Sequence, residues 1–154
     1  MTGLWAYAVA LWEKPAVRGA ALVLQDRFGQ CVPLLLWRLW TINEGLSAED
    51  GHVGTAIEIA RGWEGDVAGP LRTARERLRA PRPGFAVDDR LRLKDRVGDA
   101  ATEAERLLLQ ALEGLTSRRG PPDDVYEAVA NLCRAWNGLT PEADISALLA
   151  AAGG

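Results

Sequence analysis

Four groups of residues in this 154-residue chain are of types that do chemistry in proteins: one histidine, two cysteines, two aspartate pairs and a dense run of arginines. A nucleophilic triad needs a base, and His52 is the sole histidine. It follows Gly51 in the first turn of an expected helix, a place that suits an exposed side chain better than a buried general base. Structural zinc needs three or four clustered Cys, His or carboxylate ligands. Cys31 and Cys133 lie about a hundred residues apart, so no ligand spacing exists and Cys133, beside Leu132 and Trp136, reads as core filler. No glycine-rich phosphate loop ending in Lys-Ser/Thr is present. No catalytic residue, metal or cofactor is expected.

Asp123 and Asp124, with Glu127 three residues on, match the Asp-Asp-x-x-Asp/Glu pattern by which all-helical isoprenoid synthases hold magnesium for a diphosphate. Pro121 and Pro122 precede the pair, which places both carboxylates in a helix first turn, where they stabilise free N–H groups by about 0.3–1 kcal/mol. The only other pair, Asp88-Asp89, falls near an expected loop. The capping role is therefore the favoured one.

Residues 71–96 hold nine Lys/Arg against four acids, a local +5 in a chain of net charge −3. Charge separated this sharply can steer a polyanion or an acidic protein. Arg72, Arg75 and Arg79 follow one another at i, i+3 and i+7 beside the apolar positions Leu71, Ala74 and Leu78, so each can pack its stem and present its guanidinium outward. The plain alternative is a solvated helix–loop–helix tip with internal Glu–Arg pairing.

Elements that would position these groups are all helical. Ala, Leu, Glu and Arg dominate and strand formers are scarce. Hydrophobic residues at 48% and charged residues at 25% suit one domain over residues 1–154 with a full core. Leu4–Lys14 and a Pro15-initiated helix ending at Gly29 come first. Val32–Asn43 is apolar almost all the way round, as a buried central helix is. Ser47 is the expected cap of a long helix over about 48–79, whose stripe Ala56, Ala60, Trp63, Val67, Leu71, Ala74, Leu78 contains a doubled step of 4. That irregularity falls at Gly65, Gly69 and Pro70 and predicts either a kink or a break into two helices. A partner helix over about 90–116 carries Val97, Ala101, Ala104, Leu108, Ala111 and Leu115, and a short Pro/Gly loop makes the two antiparallel. Arg118–Pro122 reads as a turn, and two further helices fill about 122–151. The fold expected is a compact all-α bundle of six to seven helices.

Three segments of the sequence resemble a family of short, uncharacterised proteobacterial proteins of about 150 residues. They are Trp5-Ala-Tyr-Ala-Val-Ala-Leu-Trp12 through to Phe28-Gly29; Val32-Pro-Leu-Leu-Leu-Trp-Arg-Leu-Trp40; and Trp63-Glu-Gly-Asp-Val67 with Pro70-Leu-Arg72, Arg75 and Glu103-Ala-Glu-Arg106. The resemblance spans about residues 4–117. Where the family pattern has a polar pair such as Asp-Val-Asn, this chain has Cys31-Val32-Pro33. The family brings no reaction with it, and the resemblance implies a helical bacterial domain.

The first reading of function is a non-enzymatic cytosolic interaction or regulatory protein. It would dock an acidic protein or small anionic ligand through Arg72, Arg75 and Arg79, with Trp63 alongside. The second is a small-molecule binder in which Trp12, Trp37, Trp40 and Trp63 line an apolar pocket with Arg72 or Asp123/Asp124 at its mouth. Nucleic-acid recognition would want exposed aromatics or a groove-entering motif, and the tryptophans fall on or next to expected apolar faces. No stretch is long and apolar enough to span a bilayer, no export signal is evident, and unpaired cysteines fit a reducing compartment.

Overall fold

Prolines and glycines punctuate the first three helices as their backbone chemistry requires. The computed structural model describes residues 2–116 and 120–153. Helices α1 (Leu4–Trp12) and α2 (Pro15–Phe28) are separated by the Pro15 start, and α2 ends on Gly29 in the left-handed conformation (φ 64°). Helix α3 (Val32–Asn43) then runs through the centre. Every residue from Val32 to Thr41 is buried, including Trp37 at 0% exposure. Five other helices pack around it, and the all-round apolar sequence of α3 is the cause.

One charged residue follows that path inward. Arg38 is only 6% exposed; its Nη1 donates to Thr41 Oγ1 at 3.0 Å, and burial lowers its pKa. Its Nε and the Trp37 Nε1 are buried with no hydrogen-bond partner among the described residues.

The next helix is a single unbroken rod of three pieces: α4 (Asp50–Trp63), a π turn (Glu64–Ala68) and α5 (Gly69–Arg77). It starts at Asp50, with Glu49 rather than Ser47 at its cap. His52 supplies part of that cap, its Nδ1 accepting the Glu49 N–H at 3.4 Å, so the histidine serves the start of its own helix. The expected alternatives of kink or break at Gly69–Pro70 resolve as the π turn. Proline inside an α-helix clashes with the carbonyl four residues back and donates no hydrogen bond. Widening the turn to i→i+5 accommodates Pro70 and consumes one extra residue, which is the doubled step of 4 in the apolar stripe.

Gly69 makes the wide turn possible. Its N–H donates to the Glu64 carbonyl, and a Cβ at this position would lie 2.4 Å from that same oxygen. Gly69→Ala is therefore expected to destabilise the protein by about 1–3 kcal/mol. Gly65→Ala, with open space at its Cβ, should be close to neutral or slightly stabilising. Paired urea titrations would check this, and equal midpoints for the two variants would contradict the account.

Helix α6 (Val87–Glu113) returns antiparallel to α5. It begins three residues before the expected 90 because Asp88 and Asp89 sit in its first turn and stabilise it there, instead of lying near a loop. No residue of α5 is buried, and the first buried residue of α6 is Ala101. The hairpin of α5 and the first half of α6 is thus an arm projecting from the core, about 20 Å along α6 at 1.5 Å per residue.

Helices α7 (Val125–Asn137) and α8 (Glu142–Gly153) complete the bundle. Asp124 caps α7 by accepting the Glu127 N–H at 3.0 Å. Val129, Leu132, Cys133, Ile145 and Leu148 join the same apolar cluster as α1–α4. The cross-ties are specific: Trp136 Nε1 donates to the Gly29 carbonyl at 2.8 Å, and Arg61 stacks on the Trp136 ring at 4.8 Å. Counting the α4–π–α5 rod as one gives seven helices and no strand among the described residues. The expected Arg118–Pro122 turn falls partly outside them, Ser117–Arg119 not being described.

Candidate functional site

The π turn has an electrostatic consequence at the base of the arm. In a regular helix, residues eight apart are offset by about 80° around the axis. The extra residue brings Glu64 and Arg72 onto one face, where Arg72 Nη2 donates to Glu64 Oε2. The Glu64 side chain is only 15% exposed against 39% for Arg72. Its other oxygen, Oε1, is buried without a hydrogen-bond partner among the described residues.

Glu105, from α6, shares this environment. Burial pushes its carboxyl above the usual carboxylate range, opposed by Arg72 and Arg75 and reinforced by Glu64. Arg75 crosses the hairpin to lie over Gly98, 3.5 Å from where a Cβ would be. Cys31, at the N-cap of α3, lies close enough for the charges of Glu64, Arg72 and Glu105 to act on its thiol. Burial dominates and pushes that thiol up to about 12, and the Cys133 thiol rises likewise to about 11. Neither cysteine carries an activated thiolate at neutral pH.

Beyond the cluster the arm is basic and, at its end, apolar. Phe85 is 69% exposed, Val87 59%, Leu93 50% and Leu91 38%. Four large apolar side chains are thus exposed within nine residues at the end of the arm, Val87 and Leu91 on one flank of α6 and Leu93 on the other. Arg79, Arg82, Arg92 and Arg96 are exposed around them. Arg79 and Arg92 pair with Glu76 and Asp89, each three residues earlier in the chain, 3.4 Å and 3.1 Å away, contacts of the solvated i,i+3 kind. An open groove of about 670 Å³ runs along the π turn and α5, with Glu64, Gly69, Pro70, Arg72 and Arg77 on its walls.

Of the three flank arginines, the structure turns Arg72 inward to Glu64 and Arg75 across to α6, and leaves Arg79 outward. The four tryptophans singled out by sequence are spread through the fold. Trp37 is fully enclosed, Trp40 donates to the Thr2 carbonyl at 2.7 Å, Trp63 donates to the Ala104 carbonyl at 2.8 Å, and Trp12 is half-buried. None lines the groove by Arg72. Asp123 and Asp124 are exposed at the start of α7. Among the described residues, no three His, Cys, Asp or Glu side chains gather as a metal site, and no helix is long and apolar enough to cross a membrane.

A family model described as "Protein of unknown function (DUF2390)" matches residues 3–112. The chain belongs to this family. No curated protein and no solved structure matches it. The DUF2390 match takes in α1–α5 and nearly all of α6, so the ionic cluster and the arm lie inside the family region and α7–α8 lie outside it.

Sequence reasoning did not single out Glu64, Glu105 or the apolar tip. A signal for the tip was present. Extending the Val97–Ala101–Ala104 stripe backward leaves Leu91 off the packed face, whereas Leu93, four residues before Val97, falls at its edge. No comparable signal existed for Glu64, because its pairing depends on the π register.

Proposed function

We propose that this chain is a non-enzymatic interaction or regulatory protein of a proteobacterial cytosol, and that its docking element is the basic α5–α6 arm with an acidic protein as partner. The observation that carries the reading is the run of exposed apolar side chains Phe85, Val87, Leu91 and Leu93 among outward arginines. Apolar anchors ringed by charge are the anatomy of a protein–protein interface, and the +5 balance of residues 71–96 selects an acidic surface. Arg79 and its neighbours toward the tip supply the charge, while Arg72 and Arg75 hold the arm at its base.

The test is affinity purification from the native host at low salt. The intact chain is compared with a variant carrying Arg79→Glu, Arg82→Glu and Leu93→Ser, with circular dichroism and thermal midpoint as controls for folding. The variant should lose an acidic protein that the intact chain retains. Identical co-purifying proteins from two equally folded chains would refute the reading.

A further inference from the structure

The chain itself carries a surface that complements the arm. Residues 120–153 contain five acids, Asp123, Asp124, Glu127, Glu142 and Asp144, against one base, Arg134. The acids gather at the N-terminal ends of α7 and α8. Between those ends lies an open groove of about 470 Å³ walled by Tyr126, Glu142, Ala143 and Ser146. Two exposed apolar side chains, Val125 (38%) and Leu139 (47%), belong to the same two helix junctions. This is an acidic, partly apolar depression, and the arm tip is a basic, partly apolar projection.

A chain does not bring the two together within itself. Helix α5 packs on α6 and on the π turn, whereas α8 packs on α2 and α7. The tip and the groove therefore belong to different parts of the fold, and what they can meet is the corresponding part of a second molecule. Pairing arm with arm would instead set +5 against +5.

We infer that the acidic partner of the arm is a second copy of this chain, with the Phe85–Leu93 tip of each copy seated in the Tyr126/Glu142 groove of the other. The inference rests on the docking reading above and deepens it. Reciprocal seating uses both surfaces of both copies and closes as a two-fold dimer, leaving no free end to propagate. Phe85 is the anchor, a large aromatic side chain entering a groove. Arg82, Arg92 and Arg96 face Asp123, Glu127, Glu142 and Asp144 around it. Asp124 keeps its capping bond to the Glu127 N–H, so the start of α7 supplies both its own helix cap and part of the charged rim of the seat. The seat lies outside the DUF2390 region and the tip within it, so the assembly joins the family domain to helices beyond the match.

Sedimentation velocity on the purified full chain tests this directly, in about 50 mM and about 500 mM NaCl, since screening weakens exposed charge pairs. The low-salt sample should sediment as a dimer whose Kd rises at least about tenfold at high salt. Two charge-reversed variants then decide where the contact lies: a tip variant (Arg82→Glu with Arg92→Glu) and a seat variant (Glu142→Arg with Asp144→Arg). Each alone should be monomeric, and an equimolar mixture of the two should recover the dimer, because reversed tip again meets reversed seat. Phe85→Ser, exposed and outside the core, should weaken the dimer without changing the thermal midpoint of the monomer.

A wild-type chain that stays monomeric at low salt overturns the inference, and so does a dimer indifferent to both variants or a mixture that fails to recover. A monomeric chain that still loses an acidic host protein on tip reversal would leave the docking reading standing and remove only the identity of the partner.

Discussion

Trp37→Ala is expected to destabilise the protein by about 3–5 kcal/mol, the largest effect of any single substitution considered. Trp37 is fully enclosed at the middle of α3, and truncation would leave a cavity that neighbours on several helices cannot all close. Trp37→Phe should cost far less than the alanine change. It retains most of the ring volume and removes the buried Nε1–H, which has no partner among the described residues. An unpaired buried donor carries a penalty of about 1–3 kcal/mol, so its removal offsets part of the lost packing. Urea unfolding followed by far-ultraviolet circular dichroism would measure both. A phenylalanine variant as damaged as the alanine variant would mean that the indole N–H contributes a bond after all.

The second large effect lies at the base of the arm. Arg72→Met removes the cation that accompanies Glu64 and opposes the burial of Glu105. Breaking one side of a fully buried pair costs about 3–5 kcal/mol. Arg72 is 39% exposed, so solvent screening reduces this to about 1–2 kcal/mol. The pH dependence identifies the cause. A carboxyl whose folded pKa lies above its unfolded value gives stability that is complete below the unfolded pKa, about 4.3 for Glu, and lost as pH rises through the folded pKa. Without Arg72 the Glu105 pKa rises further, so the deficit of the variant should be small near the unfolded pKa and grow toward neutral pH. Thermal midpoints across that range would show it, and a pH-independent deficit would point to lost packing of the arginine stem alone.

How far the sequence foretold these features depended on whether the interaction was local in a regular helix. The centre of the fold was legible because α3 is apolar on every side, a pattern that only a surrounded helix can satisfy. The α6 stripe from Val97 onward was legible for the same reason, its 4,3 spacing being unbroken. The π turn was half legible: the doubled step at Trp63–Val67–Leu71 marked the place, and Pro70 supplied the cause, but spacing alone does not separate a widened turn from a break. What depended on that choice was hidden. Glu64 and Arg72 share a face only once the extra residue is inserted, and Glu105 joins them from another helix 41 positions after Glu64. The bond from His52 to its own helix cap was hidden by expecting the cap at Ser47, two residues too early. The apolar tip was only partly legible: Leu91 falls outside the packed register, but Leu93 lies four residues before Val97 and its exposure follows from the arm running past the core.

The π turn also fixes the direction in which the arm points. Each residue of an α-helix advances the chain by 1.5 Å and rotates it by about 100°. The turn from Glu64 to Ala68 holds one residue more than a regular helix needs there. A chain one residue shorter in that segment, with Pro70 replaced so that an ordinary helix could form, would keep every element. Its arm would be reoriented by roughly a quarter-turn about the rod, carrying α5 away from α6. The bearing of the whole projection is thus written in a residue count and not in any side chain.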